Sequence, residues 1–314
     1  MDLDSFCRDL PKIELHAHLN GSLSRSTMIQ LKRYHADFGL EDKTNAFFDE
    51  FQIGSGDTRN LTEFVYLCFQ VFSIAHSLTS VPEALSIATT LTLQEFQNDG
   101  CCYIELRNLS NSYRFIIAFI DYKETRVFRN SMQRKHSLSI ISRLIISIDR
   151  RSTQKVAENI VDLALEYKEK YPDVIAGVEL SGDPTIGKFQ DFVPSLTRAR
   201  HAGLKITLHC GEVVNPQEVS EMLEFKPDRI GHGICIHPKY GGTTVLTCYF
   251  QTDDKGVFST SLSQEYRLCA ETFSLSHSQL ATLALNGCQY VFAEETRKIL
   301  EDSILRFIGR NNLC

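Results

Sequence analysis

The sequence predicts an α/β fold, a parallel sheet with helices packed on its faces. Three observations carry that expectation. Short apolar segments alternate with helical stretches along the chain, and a repeated strand, helix, strand order is the mark of parallel pairing. Polar side chains gather where the apolar segments end, the place where barrel enzymes assemble their sites. No glycine-rich phosphate fingerprint follows the first strand, which weighs against a dinucleotide-binding open sheet. At 314 residues, the two architectures to consider are a (β/α)8 barrel and an open doubly wound sheet.

In chain order, the expected strands are Lys12 to His16, Cys101 to Arg107, Arg143 to Asp149, Ile175 to Leu180, Leu204 to His209 and the short Arg229 to Gly231. A last one runs from about Thr244 to Gln251. Each is a short apolar run. Apolar residues recur with helical period between them, over Leu61 to Ile74, Pro82 to Gln97 and Thr153 to Glu169. No internal repeat, low-complexity tract or Gly/Ser/Pro linker interrupts the chain, so residues 1–314 are read as a single domain.

A hydrophobic content of 43% is ample for a large core, and 23% charged residues is ordinary for a soluble protein. The net charge of -6 argues against a nucleic-acid or anionic-membrane binder, whose mark is a basic patch. It leaves room for a small phosphate ligand in a locally positive pocket. The N-terminus, MDLDSFCRDLPKIELHAH, is acidic and has no apolar stretch of signal-peptide length. Apolar runs such as Leu144 to Ile148 are too short to span a bilayer. A soluble, cytosolic monomer is expected. The ten cysteines are scattered without a CxxC, which points to free thiols and removes the HxE…PCxxC signature of cytidine-type deaminases.

His16 and His18 are two apart, so on a strand both imidazoles point to one side. An HxH pair by itself also arises by chance. Joined by His209 and Asp253 from the ends of later strands, it becomes a set of three histidines and one aspartate suited to zinc, with a position left for water. Bound zinc brings the pKa of water toward neutrality. Hydrolysis then needs a proton donor and a group that orients the water. Glu212, three residues past His209, and His232, between Gly231 and Gly233, are placed for this. Alone they read as a surface carboxylate and a core histidine.

The segments PKIELHAHLNGS, SGDPT, HCGE, RIGHG and TDDKGVF, in that order, resemble the adenosine deaminase family. Within it they are most similar to the adenosine deaminase-like branch, which acts on N6-methyl-AMP. The resemblance runs from about residue 9 to the end. It implies a (β/α)8 barrel of the metal-dependent hydrolase type and one zinc per chain, held by His16, His18, His209 and Asp253. It implies Glu212 as the proton donor to purine N1 and His232 as the residue orienting the water. Gly182 corresponds to a backbone donor to the purine ring and Asp254 to an acceptor on its other edge. His18, Asn20, His76 in FSIAHSLTS and Asp149 in SIDRR match further substrate contacts. Asn20 stands where adenosine deaminases have Asp in HLDG. An amide tolerates a 5′-phosphate that a carboxylate repels, so a nucleoside monophosphate is favoured over a nucleoside. Asn-Gly is also simply a favoured turn pair.

The chain departs from the family pattern in two places. The branch's Thr-Pro-basic segment after the second strand is replaced by LRNLSNSYRF. Only 21 positions separate His232 from Asp253, where the barrel needs a complete βα unit of roughly 30 residues with flanking connections. The expected fold is therefore the barrel with its seventh βα unit missing. The implied reaction is N6-methyl-AMP and water to IMP and methylamine. The alternatives are an AMP or adenosine deaminase, or a catalytically impaired splice or gene-model variant.

Overall fold

The structure, a computed structural model, describes residues 1–39, 61–108, 114–120, 140–236 and 250–313. Six strands, β1 (Lys12–His18), β2 (Cys101–Asn108), β3 (Ile141–Asp149), β4 (Ile175–Ser181), β5 (Lys205–Cys210) and β6 (Arg229–His232), pair in chain order and all in parallel. Beyond β1's other edge lies Asp253, in a parallel bridge with Ala17. Its N–H donates to the His16 carbonyl (2.8 Å), and His18 N–H donates to the Asp253 carbonyl (2.9 Å). The sheet thus curls into a nearly closed barrel.

Helices wrap the outside: α1 (Leu3–Asp9), α2 (Arg25–Asp37), α3 (Leu61–Leu78), α4 (Pro82–Asn98), α5 (114–120), α6 (Gln154–Lys170), α7 (Val193–His201), α8 (Pro216–Glu224), α9 (Leu262–Phe273), α10 (His277–Gly287) and α11 (Arg297–Arg310). Their starts are chemically set. Ser24, Thr153, Asn215 and Ser261 each accept a backbone N–H of the first turn, and Ser276 with Gln279 forms a capping box. Aliphatic side chains from both strand faces and from α4, α6 and α10 make one continuous core. Every residue of β1 and β4 is buried, as expected for strands covered on both faces.

The barrel interior is ionic, and its buried arginines and the glutamates of β1, β2 and β4 are paired, without which burial would cost several kcal/mol. Arg107 donates to Glu179 (2.6 Å) and to the Leu15 carbonyl. Arg229 pairs with Glu105, which also accepts from Tyr103 Oη and Phe292 N–H (both 2.7 Å). Glu14 accepts from His16 N–H (2.8 Å) and from the N–H and hydroxyl of Thr252 (2.9 and 2.8 Å). Glu14 therefore ties β1 to the residue just before Asp253.

Two expectations need qualifying. The last strand, expected over Thr244 to Gln251, lies mostly outside the described residues; Phe250 and Gln251 are not in a strand, and pairing with β1 falls to Asp253. The interval expected to lack a βα unit likewise falls largely on 237–249, outside the described residues. Cys7, Cys101, Cys102, Cys210, Cys235, Cys269 and Cys288 are free thiols, as expected.

Candidate active site

The C-terminal ends of the strands meet in one cluster. His16 and His18, on the same side of β1, bring their Nε2 atoms to 3.3 Å. Asp253 Oδ1 lies 3.3 Å from His16 Nε2 and 3.4 Å from His18 Nε2. These are the edge lengths of a tetrahedron with bonds of about 2.0–2.1 Å. His209, at the end of β5, joins His16 and His18 in a group with ligand atoms all within 4.8 Å. His209 Nδ1 stands 3.2 Å from His232 Nε2 and 3.3 Å from Glu212 Oε1. Asp253 Oδ1, His209 Nε2, His18 Nδ1 and Glu212 Oε1 are buried without a hydrogen-bond partner, an arrangement that a folded protein tolerates where something else satisfies those atoms.

The local backbone is shaped for this convergence. His232 and Asp253 both hold left-handed conformations, with φ of 63° and 55°. Such values cost energy for residues with a Cβ and tend to mark functional sites. Gly231 faces the His16 ring so closely that a Cβ there would lie 2.3 Å from Cε1. Gly21 is packed as tightly on the Asp254 carboxylate. The glycines of RIGHG and HLNGS thus leave room for a ligand histidine and an acid.

Charge is distributed unevenly. Burial would lower His209, but the adjacent Glu179 and Glu212 carboxylates raise it to about 9. Burial pushes His18 down to about 4 and His16 well below the usual imidazole range. Burial raises Glu212, yet His209 draws it below its ordinary value. Asp254 is pushed well above the carboxylate range by burial, then by its neighbour Asp253. Behind the histidines, Glu179 lies 3.6 Å from His209 Nε2 and 4.0 Å from His18 Nδ1, fixed from below by Arg107 and by Ser147 Oγ (2.6 Å).

A cavity of about 480 Å³ opens above the cluster. Its floor is His18, His209, Glu212, His232, Asp253 and Asp254, and Gly182 also lines it. Asn20 and His76, the latter from the last turn of α3, share the wall, with Asn20 Nδ2 2.6 Å from His76 Nδ1. The structure therefore brings together every residue expected at the site except the Asp149 side chain. That carboxylate is held by Arg151, through Nε (3.0 Å to each oxygen) and a terminal nitrogen (2.6 Å). It is Arg151 that lines the cavity. Sequence reasoning assigns no role to Glu179 or to Arg151. The signals were a carboxylate inside the apolar run VEL and a second arginine after Asp149 in SIDRR.

Residues 11–238 match the family model described as adenosine deaminase. The chain belongs to the adenosine deaminase family. The N6-methyl-AMP deaminase of Homo sapiens is 34% identical over 335 aligned positions, covering 93% of this chain and 92% of that protein. That alignment is longer than this 314-residue chain, so the human protein carries residues this one lacks. Among solved structures, Arabidopsis ADAL complexed with IMP is 29% identical, with a TM-score of 0.72 over 96% of this chain and 97% of that one. A zinc-bound amidohydrolase from Burkholderia ambifaria has a TM-score of 0.75 at 20% identity over 99% and 94% of the two chains, a likeness of fold alone. Among the described residues no helix is long and apolar enough to cross a membrane.

Proposed function

We propose that this family member is a zinc-dependent hydrolytic deaminase of purine nucleoside monophosphates, converting N6-methyl-AMP and water to IMP and methylamine. The observation that carries the reading is the convergence of His18, His209 and Asp253, with Glu212 and His232 beside them, on the floor of one cavity, and of His16 against His18 and Asp253. A human relative named N6-methyl-AMP deaminase and an Arabidopsis relative that binds IMP support the choice of substrate and product.

The donor set fits one zinc per chain: three imidazoles and a carboxylate, with buried, unpartnered Asp253 Oδ1 at tetrahedral spacing from two histidines. Zinc there supplies Lewis acidity that brings the pKa of water near neutrality. The residues do the rest. His232 orients the attacking water and accepts its proton. Glu212 donates a proton to purine N1 as the oxygen adds to C6. The C6–N6 bond then breaks, methylamine leaves with the proton held by His232, and the C6 hydroxyl proton returns to Glu212, leaving the C6 carbonyl and N1–H of IMP. Coordination requires a neutral His209. The Gly182 backbone and Asp254 hold the purine ring, while Asn20 and His76 face the ribose phosphate.

The test is to assay the purified chain with N6-methyl-AMP, AMP and adenosine, measuring zinc by mass spectrometry in parallel. We expect IMP from N6-methyl-AMP and one zinc per chain. Asp253→Ala should lose both metal and activity. Stoichiometric zinc in that variant, or no product from the metal-loaded wild type, overturns the reading.

A second reading, an impaired chain, is favoured by one observation. The family match stops at residue 238, and the alignment with the human protein exceeds this chain's length, in keeping with a missing unit after β6.

A further inference from the structure

The cavity presents an electrostatic problem for a nucleoside monophosphate. Asp183, Glu212, Asp253 and Asp254 all line it, and among its described lining residues Arg151 is the one lysine or arginine. A phosphate monoester carries up to two negative charges at neutral pH. It cannot lie against the metal cluster's carboxylates, and the purine must, because C6 is the reacting atom. The phosphate therefore takes the other end of the cavity.

Arg151 is built to meet it. Its Nε and one terminal nitrogen are committed to Asp149. A guanidinium has five N–H donors in a rigid fork, so the edge turned away from Asp149 keeps its donors for a second anion. The backbone N–H of Arg151 also donates to Asp149 Oδ1 (2.8 Å), which fixes where the fork begins. The Arg151 side chain is 58% exposed, as that of a ligand-facing group at a cavity mouth should be. Its charge reaches His76, adding to burial in lowering that imidazole, so Arg151 and the Asn20–His76 pair share one end of the cavity.

We infer that Arg151 is the residue that recognises the substrate's 5′-phosphate, and that Asp149 is a positioning residue acting through it. The inference rests on the proposed nucleotide specificity and gives that specificity a cation. Asp149 then earns its place in SIDRR by aiming the arginine.

The experiment compares wild type, Arg151→Gln, Arg151→Lys and Asp149→Asn. Binding of IMP and of inosine is measured by calorimetry, and kcat and KM with N6-methyl-AMP. In R151Q, IMP affinity should fall about 10- to 100-fold, the worth of one charge-assisted hydrogen bond, while inosine affinity holds. KM for the nucleotide should rise by a similar factor with kcat little changed. R151K keeps the charge and loses the fork, and should lie between. D149N should weaken IMP selectively and by less than R151Q. Equal loss of IMP and inosine, or no loss of either, overturns the inference. So does a wild type that binds IMP no better than inosine. If wild type prefers IMP, R151Q abolishes the preference and no N6-methyl-AMP is turned over, the phosphate site stands and the proposed reaction falls.

Discussion

Glu212 and Asn20 show how single residues set chemistry and selectivity on a shared floor. Glu212 Oε1 is buried, lacks a hydrogen-bond partner and sits 3.3 Å from His209. Glu212→Gln preserves shape but cannot deliver the N1 proton. Turnover should fall roughly 10²- to 10⁴-fold with zinc content and IMP binding retained; near-normal turnover would assign the proton to another group. Asn20 hydrogen-bonds His76 and leaves its Oδ1 buried and unpartnered. Asn20→Asp places a carboxylate where the phosphate is proposed to lie, a repulsion on the order of a few kcal/mol in a partly buried site. The ratio of activity on N6-methyl-AMP to that on N6-methyladenosine should fall, mainly through KM. An unchanged ratio would mean Asn20 does not face the 5′ group.

The strands place those residues, and their legibility was uneven for physical reasons. Six of the seven expected strands are present, with ends shifted by one or two residues. His16 looked like the end of β1, but the strand continues to His18 because Arg107 pairs with it on one edge and Asp253 bonds to it on the other. Those partners are distant in sequence, so no local pattern announces them. The metal set was legible because i, i+2 histidines share a strand face whatever the tertiary context. The ionic interior was not. Glu14, Glu105 and Arg107 sit in alternating positions that read equally well as a solvent face, and only barrel closure turns them inward, fully buried. Arg151 was missed because its role depends on where Asp149 points. A consequence at this scale concerns β6. Gly231→Ala keeps the strand's backbone feasible but drives a methyl into the His16 ring, and core side chains have little slack. The variant should fold with near-native circular dichroism and bind zinc at least about 10-fold more weakly, the order of effect seen when a ligand's support is disturbed. Unchanged zinc affinity in a competition titration with a chromogenic chelator would show that His16 can move aside.

For the whole molecule, the open question is closure. Among the described residues β6 pairs only with β5, and Asp253 bridges only β1. The two site residues nearest this interval, His232 and Asp253, are both held at positive φ, conformations that a residue with a Cβ keeps only where surrounding structure enforces them. Only 21 positions connect them, short of the roughly 30 residues a βα unit takes, let alone its flanking connections. An unpaired parallel edge leaves backbone donors and acceptors to water and weakens the hold on the side chains it carries, while catalytic groups need placement to within about 0.5 Å. Inserting a βα unit of about 45 residues from a relative between RIGHG and TDD, a length set by the same barrel arithmetic, should raise the thermal midpoint by at least about 5 °C, since 1 kcal/mol moves a domain of this size by a few degrees. It should also raise kcat with N6-methyl-AMP, because His232 and Asp253 would both gain support. Calorimetry and steady-state assays on the natural and extended chains decide the matter. If the natural chain melts as high and turns over as fast, β6 and the Asp253 segment are fixed without a strand between them, and the seventh unit is dispensable to this site.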